Sequence, residues 1–329
     1  MRELEITIKN LKLKSPLMTA SGTSGHSGAE IDRLLVSQTT KASLGAFVTK
    51  GITLQPRLGN PEFRVVETRT GLLNSIGLQN QGVEFFVQKE LPGLLNFELP
   101  IIVNISGSTA EEYAKVAAYL SENDTCEIIS GIEINVSCPN LEKGGVAFGT
   151  DPKEVHRIVK AVKKHTDPRI LIITKLTPNV TDITIPARAA IQAGTDILSM
   201  INTLRGMAID VDTFKPLLGN KTGGTGGLSG PAIKPVGVFM VYECFRNIPE
   251  CYNRDIPIIG IGGVSNWRDA LEYIMAGATA VGVGTAWFVD PHVFAKIHTS
   301  IRAYVERRGV KISDLVGKAH ENNIDPIRC

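Results

Sequence analysis

At 329 residues the chain is longer than most single domains and of ordinary size for one large α/β domain carrying insertions. Hydrophobic residues make up 43% of it, enough for a packed core, and a net charge of +2 without any block of like charge argues against nucleic acid as a partner. No basic N-terminal segment leads into an apolar run, and no stretch reaches the roughly 20 apolar residues of a membrane span, so a soluble cytoplasmic protein with no membrane contact is expected.

In chain order, Leu4 to Leu13 alternates apolar and polar residues, which predicts a β-hairpin. Eight short apolar runs then read as strands: Pro16–Ser21, Ala46–Lys50, Pro100–Ile105, Gly131–Val136, Ile170–Leu176, Ile197–Ile201, Ile256–Ile261 and Ala280–Val283. Segments of helical period lie between them. Ala110–Leu120 and Pro152–Lys163 each show one apolar face, and Asn266–Ala276 follows Ser265 as a possible N-cap. Eight βα units close more naturally into a barrel than into an open sheet, although counting alone leaves a doubly wound fold open. The expectation is a single (β/α)8 TIM-barrel domain over 1–329, with the N-terminal hairpin and inserted loops at its C-terminal face. No composition break divides the chain, and the tail after about 317 is unassigned.

Barrel chemistry gathers where strands end, and every run ends in something polar or glycine-rich. These ends are Ser21-Gly22, Lys50-Gly51, Asn104, Asn135 to Cys138, Lys175, Asn202-Thr203, Gly262-Gly263 and Gly284-Thr285. Loops are polar in any protein, and a lone lysine is best read as solvated. Lys50 and Lys175 together, each closing an apolar run, point to an anion or cofactor. Gly262-Gly263 and Gly284-Thr285 follow the seventh and eighth runs, where barrels often bind phosphate, and Gly227-Leu228-Ser229-Gly230 adds a third glycine cluster. A dinucleotide fingerprint is absent: Gly260-Ile261-Gly262-Gly263 lacks the third glycine, and Gly282-Val283-Gly284 runs into Trp287. If the protein uses NAD, it would reach it through a partner.

Five cysteines, an odd number without C-x-x-C spacing, speak against a disulfide framework, and no metal site is expected. Cys126, Cys244 and Cys251 read as small buried hydrophobes and Cys329 as a terminal residue. Cys138 differs, because it leaves a strand between Asn135 and Pro139-Asn140, ahead of Gly144-Gly145. A thiol, with an ordinary pKa of about 8.5, can accept a proton near neutrality when desolvated beside a flavin or substrate. The six histidines, His26 in an early loop and the others peripheral, offer no comparable constellation.

Asn135-Val136-Ser137-Cys138-Pro139-Asn140 resembles the catalytic-cysteine motif of class 1 dihydroorotate dehydrogenases. Thr49-Lys50-Gly51-Ile52-Thr53 and Gly59-Asn60-Pro61 resemble that family's second strand and following loop, and Asn74 to Asn80 its substrate loop. Gly144 to Thr150, Ile201 to Met207 and Leu228 to Pro235 are similar to class 1B, the NAD-linked subclass. The likeness runs from about Ser15 to about Pro291. Three features depart from the pattern: a longer Gly223–Gly227 run, Trp287 where the family often has Asn, and the tail after Gly317.

The resemblance implies an enzyme that oxidises (S)-dihydroorotate to orotate in de novo pyrimidine (UMP) biosynthesis, with FMN as hydride acceptor. It implies FMN contacts from Ser21, Lys50, Gly51, Asn104, Asn135, Lys175, Ile201, Gly230, Gly262, Gly263, Gly284 and Thr285. Substrate contacts would come from Lys50, Asn74, Ser75, Ile76, Gly77, Leu78, Asn135, Asn140, Asn202 and Thr203. Cys138 would remove the C5 proton while hydride leaves C6, and Lys175 would stand beside the flavin ring. In class 1B, electrons pass to a partner subunit carrying FAD and an iron–sulfur cluster, in a heterotetramer of two catalytic and two transfer subunits, and reduce NAD. The alternatives are a fumarate-linked class 1A enzyme, a dihydropyrimidine dehydrogenase-like enzyme, and a non-catalytic phosphate-binding scaffold barrel. Asn140, where the dihydropyrimidine enzymes tend to have His, and Lys50, which suits a carboxylated substrate, weigh against the second. Class 2 enzymes use serine as base and carry an N-terminal extension, so Cys138 and a barrel beginning almost at once weigh against them too.

Overall fold

The alternation at the N-terminus produces the expected hairpin: Ile6–Ile8 pairs antiparallel with Leu11–Leu13, burying Ile6, Ile8 and Leu13 while Thr7 and Lys12 face solvent. The protein is described by a computed structural model over residues 3–34, 38–137, 139–140, 146–219 and 223–321. Eight parallel strands follow the hairpin. They are β1 (Leu17–Thr19), β2 (Phe47–Val48), β3 (Ile101–Ile105), β4 (Ile129–Asn135), β5 (Leu171–Leu176), β6 (Ile197–Met200), β7 (Ile258–Ile261) and β8 (Ala280–Val283). Seven of the expected runs contain their strand whole, and the eighth, Gly131–Val136, overlaps a strand that begins two residues earlier, at Ile129. Each strand is almost wholly buried because both its faces are covered, the inner by the barrel core and the outer by helices, and most of its residues are apolar.

The hydrogen-bonded order is β1-β8-β7-β6-β5-β4-β3-β2. A parallel bridge between Met18 and Ala46 joins the two ends of that series, so the sheet is a (β/α)8 barrel. The helices Ala110–Asn123 and Pro152–His165 run slightly past the expected ends, capped by Thr109 and Asp151. The helix Trp267–Met275 corrects the expected cap: Asn266 is the N-cap, in a capping box with Asp269, and Ser265 donates its own N–H and hydroxyl to Asp269.

The connections leaving β2 and β6 build a second, antiparallel sheet ordered Leu204–Gly206, Gly226–Ser229, Gly71–Asn74, Val65–Thr68. Both insertions start from the C-terminal ends of barrel strands, so this sheet is part of the functional end of the molecule.

Candidate active site

Parallel register decides which side chains meet. Lys175 on β5 is level with Asn135 on β4 and Ser199 on β6, and Asn104 on β3 is level with Glu133 on β4. Lys175 is only 4% exposed. Its ammonium donates to Ser21 Oγ at 2.7 Å and forms an ion pair with Glu133 Oε1 at 3.6 Å. Glu133, 2% exposed, also accepts from Asn104 Nδ2 at 2.6 Å and from Ser199 Oγ at 2.9 Å. The expected pairing of a buried lysine with an anion is therefore met inside the protein. Sequence reasoning missed Glu133, although a single acid inside Gly131–Val136 was the signal.

Beside this core, Asn135 Oδ1 accepts from Ser137 N at 3.1 Å and from Asn202 Nδ2 at 3.0 Å. Asn202 Oδ1 in turn accepts from Thr203 N at 2.8 Å, so three expected substrate residues form one amide network. Tyr113 braces it from the helix Ala110–Asn123, its hydroxyl donating to Asn135 O at 2.6 Å. Nothing in its helical position announced that contact. Ser137 Oγ is buried without a hydrogen-bond partner in the protein, as expected of a polar lining that meets a ligand. Cys138, Gly144 and Gly145 lie outside the described residues. The backbone of Pro139–Asn140 pairs antiparallel with Val146–Ala147.

The expected substrate loop is held by the segment after β2. Asn60 N donates to Ile76 O at 3.0 Å, and Asn60 Nδ2 donates to Ser75 O and Oγ at 3.1 and 2.8 Å. Asn74 Nδ2 reaches Gly227 O at 3.1 Å, tying the loop to the insertion after β6. Gly77 and Leu78 both take positive φ, and Asn80 Nδ2 fixes the following bend by donating to Leu78 O at 2.7 Å. A Cβ on Gly51 would lie 3.1 Å from Asn104 Oδ1 and 3.5 Å from Leu78 Cδ2, so this loop abuts the expected flavin residues.

Lys50 is half-buried at the end of β2. Burial pushes its ammonium below the usual lysine range, Arg64 adds to that shift, and Glu30 and Glu90 oppose it. Burial drives His26 down to about 4, with the Lys50 cation adding to the effect. Glu90 is pushed up to about 7, by burial first and by Glu30 second, against Lys50. His26 was set aside in the sequence as a residue of an early loop and Glu90 was overlooked, since neither belongs to a motif.

The three glycine clusters converge. Gly263 has φ +70°, and a Cβ there would come 2.7 Å from Gly230 O and 2.9 Å from Lys234 N, so only glycine fits this turn. Thr285 Oγ1 donates to Ser229 Oγ at 2.9 Å, Gly284 lies against Ala20, and Ile201 packs under Gly262. The result is a group of glycine turns next to Ser21, the partner of Lys175, and exposed backbone of this kind could hold a phosphate. Trp287, the departure noted above, donates Nε1–H to Thr23 O at 3.1 Å, bracing the loop after β1.

Cys244 and Cys251 are buried as expected, and burial pushes Cys251 up to about 12. Cys126 is exposed, which corrects its reading as a core residue. Among the described residues no cluster of His, Cys, Asp or Glu is arranged to hold a metal, and no helix is long and apolar enough to cross a membrane.

The model of the dihydroorotate dehydrogenase family matches residues 3–305. The chain is 48% identical over 315 residues to the catalytic subunit of dihydroorotate dehydrogenase B (NAD(+)) from Caldicellulosiruptor bescii, covering 95% of this chain and 98% of that protein. The subunit of the same name from Geobacter sp. strain M21 is 46% identical over 316 residues, with 96% and 97% covered. That from Thermoanaerobacter sp. strain X514 is 45% identical over 315 residues, with 95% and 98% covered. With its barrel complete and the match extending over almost its whole length, the chain belongs to the dihydroorotate dehydrogenase family.

Proposed function

We propose that this chain is the FMN-dependent catalytic subunit of an NAD-linked dihydroorotate dehydrogenase, oxidising (S)-dihydroorotate to orotate for pyrimidine biosynthesis. The observation that carries this is the near-full-length identity to relatives bearing that name. FMN, when bound, supplies the acceptor for the hydride that leaves C6 of the substrate. The glycine cradle of Gly230, Gly262, Gly263, Gly284 and Thr285 suits its phosphate. Ser21, Lys50, Gly51, Asn104, Asn135, Lys175 and Ile201 suit its ring and ribityl chain.

The substrate is a carboxylated ring with amide edges. Lys50 offers a cation to the carboxylate, while Asn74 to Leu78, Asn135, Asn140, Asn202 and Thr203 offer donors and acceptors to the edges. The amide network around Asn135 keeps those groups oriented before the substrate arrives. Cys138 takes the C5 proton. The partner is a subunit with FAD and an iron–sulfur cluster, assembled two to two in the cytoplasm, through which NAD is reached.

An anaerobic absorbance spectrum before and after dihydroorotate tests this reading. A flavin band that bleaches is expected, with Cys138→Ser keeping the band and bleaching far more slowly. Reoxidation by NAD should then require the partner. A band indifferent to dihydroorotate but bleached by a reduced pyrimidine lacking the carboxylate would shift the assignment to the dihydropyrimidine type. Rapid reoxidation by fumarate alone would shift it to class 1A. A chain that takes up no FMN on reconstitution would leave a scaffold barrel.

A further inference from the structure

One buried group in the barrel mouth is left unused by the proposed flavin and substrate contacts. Glu133 lies two residues before Asn135, its side chain almost wholly enclosed, and three other barrel strands send a polar side chain to its carboxylate. Asn104 from β3 donates to one oxygen, Ser199 from β6 to the other, and the Lys175 ammonium from β5 stands 3.6 Å away. Through Lys175 the same carboxylate reaches Ser21, just beyond β1.

An ionised carboxylate in a protein interior is costly, and barrel interiors are commonly filled by branched apolar side chains instead. Replacing a well-made buried ion pair with apolar residues often costs nothing in stability, so stability alone does not account for Glu133. Its partners give the better account. Asn104, Lys175 and Ser21 are all residues proposed to face FMN. A lysine ends in a compact charge on a flexible stem, which needs fixed acceptors to stay in one place.

We infer that Glu133 is a positioning residue for the flavin chemistry: it fixes the Lys175 ammonium and the Asn104 amide, and its charge restrains how strongly bound FMN attracts electrons. The inference rests on the reading of the chain as FMN-dependent. An ammonium alone beside a flavin favours the arrival of electrons. A carboxylate 3.6 Å from that ammonium offsets much of this field, holding the cofactor low enough in potential to pass electrons onward.

The test compares the wild type, Glu133→Gln and Glu133→Asp, each loaded with FMN, by anaerobic titration of the flavin potential against a reference dye. Glutamine keeps the shape: its amide oxygen still accepts from Asn104, and the Ser199 hydroxyl can turn to accept from its NH2. Glu133→Gln is expected to shift the ratio of reduced to oxidised flavin at a given potential about tenfold toward reduced, about 30 mV for a two-electron couple. Glu133→Asp, which retains the charge, should stay with the wild type. Equal potentials in the wild type and Glu133→Gln overturn the inference while leaving FMN dependence intact. A wild type that binds no FMN overturns both. Should Glu133→Gln fail to fold, adding Lys175→Met removes the stranded cation and should restore folded protein; failure of that rescue also overturns the inference.

Discussion

Lys50 shares its corner of the barrel mouth with groups whose protons are held abnormally, and their effects on stability run in opposite directions. An ordinary glutamate ionises near 4.5, whereas Glu90 in the folded protein does so near 7. Between those values the unfolded chain gives up its proton first, so rising pH favours unfolding. His26 behaves in the reverse sense, with an ordinary value of 6.5 and a folded value of about 4. Between these the unfolded chain takes up its proton first, so falling pH favours unfolding. The two slopes oppose each other across most of the acid range. Glu90→Gln removes one of them. Relative to the wild type it should be unchanged in stability below pH 4.5 and gain through pH 7, levelling at about 1 kcal/mol, a figure discounted because the carboxyl is half exposed. Urea denaturation at both ends of that range measures it, and a gain of the same size at each would rule out titration as the cause. The corner also shows what single residues reveal in sequence. Lys50 and Lys175 announced themselves by closing apolar runs, and Glu133 stood as a lone acid within one. His26, Glu30 and Glu90 are brought together only by the fold, so no spacing could have connected them.

At the scale of elements, the helix Trp267–Met275 links local sequence to the site. Asp269 Oδ2 accepts from the backbone of Ser265 and Asn266 and from both their side chains, while its Oδ1 accepts from Lys234 Nζ at 3.0 Å. Burial raises the Asp269 pKa, but the bonds from Ser265 and Lys234 outweigh it and the net shift is downward. Tyr273 on the same helix donates to Gly262 O at 2.7 Å, so the cap also steadies the glycine turn after β7. Asp269→Ala should cost about 2 kcal/mol, from the lost cap and the Lys234 ammonium left without one of its acceptors. Its FMN affinity should fall as well. A loss of stability with FMN affinity fully retained would show that the helix does not brace the cradle. Asn266 and Ser265 are both good capping types, and only the acid three residues after Asn266 separates them. That pattern stood in the sequence, and the expected Ser265 cap passed over it. The four-stranded sheet of the insertions was not legible there: Gly71–Asn74 and Gly226–Ser229 lack β-branched residues and alternation, and their pairing bridges more than 150 positions, Asn74 reaching Gly227.

Over the whole molecule, eight apolar runs were enough to suggest a barrel, yet a ring differs from an open sheet only where the two ends of its hydrogen-bonded series, here β1 and β2, touch. That seam is short. β1 and β2 meet through the Met18–Ala46 bridge, with Gly45 N donating to Leu17 O at 2.7 Å and Thr19 N to Ala46 O at 3.3 Å. Beyond it a side chain takes over the ladder: Val48 N donates to Thr19 Oγ1 at 2.7 Å, and that hydroxyl donates to Val48 O at 3.2 Å. Thr19 is 1% exposed, so water cannot replace these bonds. In the sequence it was one polar residue inside an apolar run, with nothing to mark it as a closing contact. Thr19→Val keeps the shape and β-branching but strands a buried N–H, an expected loss of about 2 kcal/mol. Thr19→Ser keeps the hydroxyl and should lose less, through one missing methyl group of roughly 1 kcal/mol. Because Ser21 and Lys50 follow directly on β1 and β2, loosening the seam should also weaken FMN binding in the valine variant more than in the serine one. Denaturation curves and flavin titrations on the two proteins decide the matter. If valine proves as stable as serine, the barrel is held shut by its covering helices and the hairpin rather than by the strands that meet there.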